Sequence, residues 1–278
     1  FSLLEGSYSI GNKEVAGEEM VVIDVNPVLG GLFEIALEEF ESGWLPRNYD
    51  QSFDQCLSES LVNFNTFKGK MPAVPSIYDK TKTHAAYVNW SSIVEPRGFI
   101  KREGMYMSKD FMTYIWSWDH CFNAMALAIG LPSLAWDQFM VMFDLQDQTG
   151  NIPDMICPTR IYKGIAKPPV HGWTLRKLLE TSGFILTEDQ LKTAFDVLSK
   201  QVEFWFRYRD IDGNGIPQYI NGCDSGWDNC SVFDSVPYTE GPDLSAYLVL
   251  QMDVLADLSE KLLLHDSSER YRERADKL

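Results

Sequence analysis

The chain has 278 residues, of which 45% are hydrophobic and 13% aromatic, and its 24 basic and 40 acidic side chains give a net charge of −16. This length and apolar content are sufficient for a large buried core. The acidic balance disfavours nucleic acid and anionic membrane as partners, because both carry negative charge. No apolar run in the sequence reaches transmembrane length.

The cysteines are odd in number, and their spacing matches no zinc-binding pattern. They are Cys56, Cys121, Cys157, Cys223 and Cys230. A reducing compartment, the cytoplasm, is the simplest interpretation of an odd count. Cys223 and Cys230 flank an acidic loop, but a disulfide between them is the less favoured interpretation.

The first part of the chain differs in pattern from the rest. Residues 1–48 contain short β-type runs such as Met20–Val25 among glycine and proline. We interpret this segment as the tail of a preceding β-type domain or as a linker. Residues 49–278 are expected to form a helical domain that continues beyond the end of this sequence.

Helical patterns dominate from about residue 50, and the sequence predicts seven or eight helices. Two early helices are expected over residues 52–64 and 84–94. Thr187 and Gln190 form a capping-box pattern that opens the clearest amphipathic helix. Pro242 suits the first turn of another helix. Residues 123–129 are apolar nearly all round, which predicts a helix buried on every side.

Two loop-like segments each combine tryptophan with aspartate. One contains Asp224, Trp227 and Asp228, and the other contains Trp118 and Asp119. An aromatic ring can stack on the apolar face of a sugar, and its bulk can raise the pKa of a nearby carboxyl group toward that of a general acid. The two segments therefore predict one carbohydrate pocket built from distant loops.

Further residues are candidates for the same pocket. Asp154, which follows Ile152 and Pro153, is a candidate sugar ligand, and Trp173, which follows two prolines, is a candidate wall. An ionised carboxylate can accept two directed hydrogen bonds from sugar hydroxyls. His120 and His171 have no partner pattern of a nucleophilic site, so a structural role is favoured for both.

Each acidic candidate also has a simpler explanation. Asp119 could cap the helix that follows it, and Asp228 could stabilise its turn through its own backbone. Asp224 could orient Asp228 rather than bind substrate. Trp118 and Trp227 could be plain core residues.

Residues 210–216 resemble part of a calcium-binding loop. Asp210, Asp212 and Asn214 occupy the first, third and fifth positions of an EF-hand-like loop, and Ile216 would offer its carbonyl at the seventh. The twelfth position is Asn221 instead of the usual bidentate glutamate, so a true EF-hand is not expected. A bound Ca²⁺ and a turn held only by its own hydrogen bonds remain the two alternatives.

Four segments of the chain form a recognisable series: residues 115–124, 150–154, 167–173 and 224–229. In this order they resemble glycoside hydrolase family 63, whose members include α-glycosidases and mannosylglycerate hydrolases. The Ser225–Asp228 element is also similar to the trehalases of a related clan. The resemblance implies an all-α fold, an (α/α)6 toroid, which is expected to be incomplete in this chain.

The resemblance also implies residue roles. Asp228 would be the general acid of an inverting hydrolysis, and Trp118 and Asp119 would bind the sugar. The general base is expected to be a glutamate in a segment after Leu278. Some members of the family hold a structural calcium at a loop like that of residues 210–216, with one ligand from elsewhere.

These patterns predict an inverting hydrolase that releases a terminal α-linked glucosyl or mannosyl residue. Its partner would be a carbohydrate substrate, with no organic cofactor and a possible structural Ca²⁺. A trehalase-like hydrolase and a non-catalytic carbohydrate-binding or scaffold domain are the alternatives. A glutamate in an aromatic-rich later segment would favour the enzyme over the binding domain.

Overall fold

The structure is a computed structural model that describes residues 2–28, 30–38, 45, 47–236 and 238–278. Part of the predicted N-terminal tail, residues 1, 29, 39–44 and 46, lies outside the described residues. The chain divides into two compact units, Phe1–Thr66 and Phe67–Leu278. The nine α-helices found in the described ranges all begin after residue 50, slightly more than the sequence predicted.

The N-terminal unit contains two small antiparallel sheets. Strands β1 to β4 span Ser2–Glu5, Ser7–Val15, Glu18–Asn26 and Glu34–Ala36. Strand β1 pairs with β4, and β2 pairs with β3 along the full length of both strands. The β2–β3 turn consists of Ala16 and Gly17, both with positive φ (54° and 87°), as a tight two-residue hairpin turn requires.

Helix α1 follows at Phe53–Lys70, and the division between the two units falls within it. The described part of the C-terminal unit then contains eight further α-helices and two small antiparallel sheets. Helices α2 to α9 span Asp79–Trp90, Asp119–Leu127, Pro132–Met140, His171–Glu180, Glu188–Tyr208, Gly222–Ser225, Pro242–Lys261 and His265–Lys277. Strands β5 to β9 span Ile93–Val94, Gly104–Met105, Ile115–Trp116, Met155–Cys157 and Arg160–Tyr162.

The long helices pack around a core. Helices α3, α5 and α8 pack against one another in series, α4 packs against α3 and α5, and α6 and α9 pack against α8. Gly172 allows a close approach of α5 to α8, because a Cβ at this position would lie 2.4 Å from the Cα of Gln251 in α8. The core is made largely of aliphatic and aromatic side chains, with Leu175, Leu198 and Leu255 completely buried.

Several predicted elements are confirmed at residue level. Thr187 and Gln190 exchange both hydrogen bonds of a capping box at the start of α6. Pro242 is the first residue of α8. Helix α2 ends at Trp90, so the prediction of helix up to residue 94 was wrong at its end, because Val94 pairs with Gly104 in a short ladder.

The helix around residues 123–129 is not buried on every side. Helix α3 buries Cys121, Ala124 and Leu127, but Phe122 is 46% exposed and Ile129 is 59% exposed. The prediction was wrong because an apolar side chain can also lie on an exposed face of a helix. Within the described ranges, no helix is both long and apolar enough to cross a bilayer.

Candidate active site

The two acidic segments that precede helices α3 and α5 are joined by a small sheet. Strand β7 pairs with β8, with Trp116 opposite Met155. The ladder continues one step further, where the Ser117 N–H donates to the Asp154 carbonyl at 2.9 Å. This pairing places the segment that leads into Asp119 directly beside Asp154.

A second set of contacts ties the segment before α5 to the loop around α7. The Ala166 N–H donates to Asp224 Oδ1 at 2.8 Å. Lys167 Nζ donates to the Cys223 carbonyl at 2.7 Å. Because these bonds connect residues 166–167 with residues 223–224, the Pro-rich segment and the Ser-Gly-Trp-Asp loop are held side by side.

The tryptophan of the first segment contacts the glycine of the last one. A Cβ on Gly226 would lie 2.7 Å from Cζ2 and 2.8 Å from Cη2 of Trp118, so only a glycine fits against this ring. Gly226 also has a φ of 71°, in the left-handed region that favours glycine. The two Trp-Asp segments, about a hundred residues apart in sequence, therefore meet in space.

Asp224 is the most tightly held carboxylate of the loop. It is completely buried. Its Oδ2 accepts from Arg209 Nη1 at 2.6 Å and from the Ile220 N–H at 2.9 Å, while Oδ1 accepts from Ala166. Both oxygens are thus engaged by protein donors, which favours the orienting role over direct contact with a substrate.

Asp228 has the opposite environment. Its side chain is exposed, as is that of Trp227 at 69%. In the described part of the chain its carboxylate makes no hydrogen bond, and the turn is held instead by Ser225 Oγ, which bonds to the Gly222 carbonyl and the Trp227 N–H. Asp228 is therefore free to meet a ligand and is not needed to stabilise the turn.

Asp154 is a buried carboxylate with a perturbed pKa. It is 4% exposed, and burial raises its pKa to about 6 against the opposing effect of Lys167. The negative charges of Asp224 and Asp228 raise the pKa further, which also places Asp228 within electrostatic range of Asp154. Asp154 Oδ1 has no hydrogen-bond partner among the described atoms. This oxygen is itself buried, and it lies 3.7 Å from the Lys167 ammonium.

Asp119 lies at the start of α3 and is half-buried. Burial raises the pKa of its carboxyl, and the nearby Lys167 charge opposes the increase. The N-cap residue of α3 is Trp118, and no side chain caps this helix end. The capping alternative for Asp119 therefore finds no support in the geometry.

Aromatic side chains extend from the Trp118–Gly226 contact along one side. Trp118 packs edge-on against Phe122 at 6.2 Å between ring centroids, and Phe122 packs against Trp173 at 6.0 Å. All three rings remain partly exposed. They form an aromatic surface of the kind on which pyranose rings stack.

Lys167 is a residue of this site that the sequence patterns did not select. Its side chain is only 8% exposed, it lies 3.7 Å from Asp154 Oδ1, and it is 5.7 Å from the centroid of Trp116. A single lysine before two prolines carries no pattern of its own, so only the fold reveals its position. We refer to Asp154, Lys167, Arg209 and Asp224 as the charged cluster.

A second polar cluster, which is neutral, lies in the helical core. It comprises His120, His171, Gln201 and Gln251, and none of them is more than 3% exposed. Gln251 accepts from the Gly172 N–H at 3.1 Å and donates to Gln201 Oε1 at 3.1 Å. Gln201 in turn donates to His171 Nδ1 at 3.1 Å. We refer to these four residues as the neutral cluster.

These hydrogen bonds determine the tautomer of His171. Because its Nδ1 accepts a hydrogen bond, the proton of the neutral ring is on Nε2. Of the described residues, His120, Cys121 and His171 are the one group of three potential metal-binding side chains with ligand atoms within 4.8 Å of one another. A protonated Nε2 cannot ligate a metal, so the bonds favour a structural role for His171.

Burial keeps both histidines uncharged. It lowers the pKa of His120 to about 4 and holds that of His171 well below its usual range, where the neighbouring His120 contributes in the same direction. Burial also raises the pKa of the Cys121 thiol. The five cysteines are all free thiols, including Cys223 and Cys230.

The loop of residues 210–216 has oxygen atoms that fit a hard cation such as Ca²⁺. Asp210 Oδ1 is buried without a hydrogen-bond partner among the described atoms. Glu240, from a later part of the chain, reaches the loop and accepts from Asn214 Nδ2 at 2.8 Å. The loop also has internal bonds, from the Gly215 N–H to Asp210 Oδ2 at 3.0 Å and from the Ile216 N–H to Asn214 Oδ1 at 2.8 Å. Asp212 is exposed.

Solved structures share this fold. The chain is similar to a GH63 mannosylglycerate hydrolase from Thermus thermophilus in complex with glucose, with a TM-score of 0.55 and 18% identity over 69% of this chain and 61% of that one. It is also similar to an uncharacterized conserved protein of the same organism, with a TM-score of 0.51 and 18% identity over 68% of this chain and 61% of that one. The helical unit therefore has the expected (α/α)6 toroid fold, preceded by small N-terminal sheets.

Residues 112–278 match the family described as the mannosylglycerate hydrolase MGH1-like glycoside hydrolase domain, and the chain belongs to that family. The predicted resemblance to glycoside hydrolase family 63 is thus confirmed. Mannosylglycerate hydrolases MGH1 and MGH2 of Selaginella moellendorffii are each 25% identical over 146 residues, which cover 46% of this chain. This chain spans only 30% of the length of these two curated relatives.

Proposed function

We propose that this protein is a glycoside hydrolase that releases a terminal α-linked glucosyl or mannosyl residue with inversion at the anomeric carbon. The observation that carries the proposal is the convergence of two distant segments: Trp118 contacts Gly226, and the exposed Asp228 lies within electrostatic range of the buried Asp154. Family membership and the named substrates of the relatives support the same reaction class.

Asp228 is the proposed general acid. It would protonate the glycosidic oxygen as the bond to the sugar breaks, and its exposed carboxyl can reach a ligand without any rearrangement of the core. Inversion also requires a base that activates water on the opposite face of the ring, with the two carboxyl groups roughly 6.5–9.5 Å apart. The proposed base is the glutamate that the family resemblance expects in a later segment.

The remaining residues hold the sugar in this proposal. Trp118 and Trp173 supply stacking faces, and the carboxylates of Asp154 and Asp119 accept hydroxyl hydrogen bonds. Trp227, exposed next to the acid, would cover the leaving group. Asp224 orients the loop that carries Asp228 through its bonds to Arg209 and Ala166.

A structural Ca²⁺ at residues 210–216 belongs to the same proposal. Asp210, Asp212, Asn214 and the Ile216 carbonyl are the proposed ligands, and Glu240 is the ligand from elsewhere. When bound, the ion would stabilise the turn that connects α6 with the α7 loop. Asp210 begins this turn, one residue after Arg209, which binds Asp224.

The test uses the full-length protein and a panel of α-linked glucosyl and mannosyl glycosides, including α-mannosylglycerate and trehalose. We expect Asp228→Asn to fold normally and to lose roughly 10²- to 10⁴-fold in kcat, the usual contribution of a general acid. NMR of the wild-type reaction should show the β-anomer released first. Asp234→Asn, an exposed aspartate of the adjacent 231–234 turn, is the matched control and should keep wild-type kcat.

Three outcomes would contradict the proposal in different ways. Near-normal kcat in Asp228→Asn would remove this residue from the acid role. Release of the α-anomer would exclude inversion. Binding of a glycoside by the wild-type protein without any turnover would identify a carbohydrate-binding domain instead of an enzyme.

A further inference from the structure

Lys167 connects three parts of the site with one ammonium group. Its Nζ donates to the Cys223 carbonyl at 2.7 Å, lies 3.7 Å from Asp154 Oδ1 and faces the ring of Trp116 at 5.7 Å. The side chain is only 8% exposed, so this charge is screened weakly by water. A buried cation at such a position has a large effect on the neighbouring carboxylates.

The charges that act on Asp154 come from two segments of the chain. Asp224 and Asp228 act on it from the α7 loop with negative charge, and Lys167 acts from the segment before α5 with positive charge. Arg209, at the end of α6, is bonded to Asp224 at 2.6 Å. Asp119, at the start of α3, also experiences the charge of Lys167.

We infer that Lys167 is a positioning residue of the site, whose ammonium pairs with Asp154 so that this buried carboxylate is kept ionised for its role in holding the sugar. The inference rests on the proposed function for the nature of the ligand. The coupling between Lys167 and Asp154 is a property of the protein alone and can be measured without substrate.

The direction of the coupling follows from the contacts. If the ammonium is removed, burial and the charges of Asp224 and Asp228 remain, and all of these disfavour ionised Asp154. The pH at which Asp154 loses its charge must then increase. Because a protonated carboxyl offers a weaker acceptor, sugar binding and turnover should fall over the same pH range.

The experiment compares wild type, Lys167→Gln, Asp154→Asn and the double variant of the full-length protein between pH 4 and 9. Thermal unfolding gives the stability of each protein and of its Asp154→Asn counterpart at every pH. The pH dependence of the difference between these two stabilities reports the titration of Asp154. We expect the midpoint of this difference to rise by at least one pH unit in the Lys167→Gln background. The acid limb of kcat/KM should move by the same amount, so that a shift of one unit makes Lys167→Gln lose about fivefold more activity at pH 6 than at pH 8.

Two further variants make the result specific. Lys163→Gln removes the cation of an exposed Lys–Asp pair, in which Lys163 and Asp147 lie 3.1 Å apart, and should leave both midpoints unchanged. Lys167→Arg keeps the charge and should keep the midpoint within half a unit of wild type. If Lys167→Gln does not fold, Lys167→Arg still tests the inference. An Asp154 midpoint that rises in Lys167→Arg, although the positive charge is kept, would overturn the inference.

The inference and the proposed function fail in different ways. An unchanged Asp154 midpoint in Lys167→Gln, with activity reduced equally at every pH, would mean that Lys167 serves only in packing. If the Asp154 midpoint shifts but the protein hydrolyses no α-glycoside, the coupling between Lys167 and Asp154 is confirmed and the proposed function is wrong. Unfolding therefore tests the coupling, and turnover tests the reaction.

Discussion

The neutral cluster and the charged cluster lie close together in sequence but respond to burial in different ways. His171 of the neutral cluster is four residues from Lys167 of the charged cluster, and both side chains are nearly inaccessible to solvent. In the neutral cluster every residue is an amide or an uncharged imidazole. In the charged cluster two carboxylates are paired with a lysine and an arginine.

The difference shows two ways to bury polar groups. A neutral donor needs only an acceptor. The series of hydrogen bonds from Gly172 through Gln251 and Gln201 to His171 supplies one acceptor for each donor. A buried carboxylate needs an opposite charge as well, because removing it from water is much more costly. The neutral cluster therefore suits the helical core, and the charged cluster suits a site where a proton or a ligand must be handled.

The largest effect should come from interrupting the neutral cluster. Gln251→Leu leaves the Gly172 N–H, the Leu198 carbonyl and Gln201 without their partner. At roughly 1–3 kcal/mol for each unsatisfied buried group, we expect a loss of about 3–5 kcal/mol in the free energy of unfolding, measured by urea denaturation. Gln148→Leu, an exposed position, is the control. A loss below about 1 kcal/mol in Gln251→Leu would show that the bonds of the neutral cluster do not contribute to stability.

The pH dependence of stability should have opposite signs in the two clusters. The pKa of His120 is lowered from 6.5 to about 4 in the folded protein, so the unfolded state binds more protons between these two pH values. The contribution of His120 to the stability of the folded state is therefore lost as the pH falls from about 6.5 to 4. The pKa of Asp154 is raised from 3.8 to about 6, so its contribution decreases as pH rises through that range. Each effect is on the order of 3 kcal/mol.

Single variants separate these two contributions. We expect His120→Gln to reduce the loss of stability in acid, and Asp154→Asn to remove the decrease between pH 4 and 6. Denaturant unfolding at pH 4, 5, 6 and 7 measures both. If the two variants change the pH profile in the same direction, the contrast between the clusters is wrong.

The smallest effect concerns the loop of residues 210–216, which is acidic but lies outside both clusters. If Ca²⁺ binds there, mass action at about ten times the Kd adds roughly 1.4 kcal/mol to the free energy of unfolding. We expect the Tm to fall on addition of a chelator and to recover with excess Ca²⁺. Asp210→Asn should abolish this response, whereas Asp189→Asn, an exposed aspartate at the start of α6, should not. No change with the chelator would indicate a turn held by its own bonds.

Local signals in the sequence were sufficient for the best-predicted parts of the fold. The capping box at Thr187 and the proline at 242 act within a few residues of their position, so their helices could be located to within one or two residues. The proximity of the Trp118 and Gly226 segments was predicted from their shared chemistry and by family resemblance.

Other features depend on contacts that a sequence pattern does not encode. The pairing of Trp116 with Met155 involves strands of two and three residues, which are too short to show alternation. The burial of Lys167 depends on the carbonyl of Cys223, 56 residues later in the chain. The neutral cluster joins four helices through glutamines that look like ordinary surface residues in the sequence.

The bond from Lys167 to position 223 ends on a main-chain oxygen, not on the sulfur. The identity of the side chain at 223 is therefore unimportant for this anchor, and serine can replace cysteine there without loss of the acceptor. With Cys56 and Cys230 also replaced, the remaining thiols are Cys121 and Cys157, which are shielded from reagents in the folded state. Such a variant would accept a fluorophore or spin label at a single introduced cysteine, so that motions of the α7 loop could be followed during turnover.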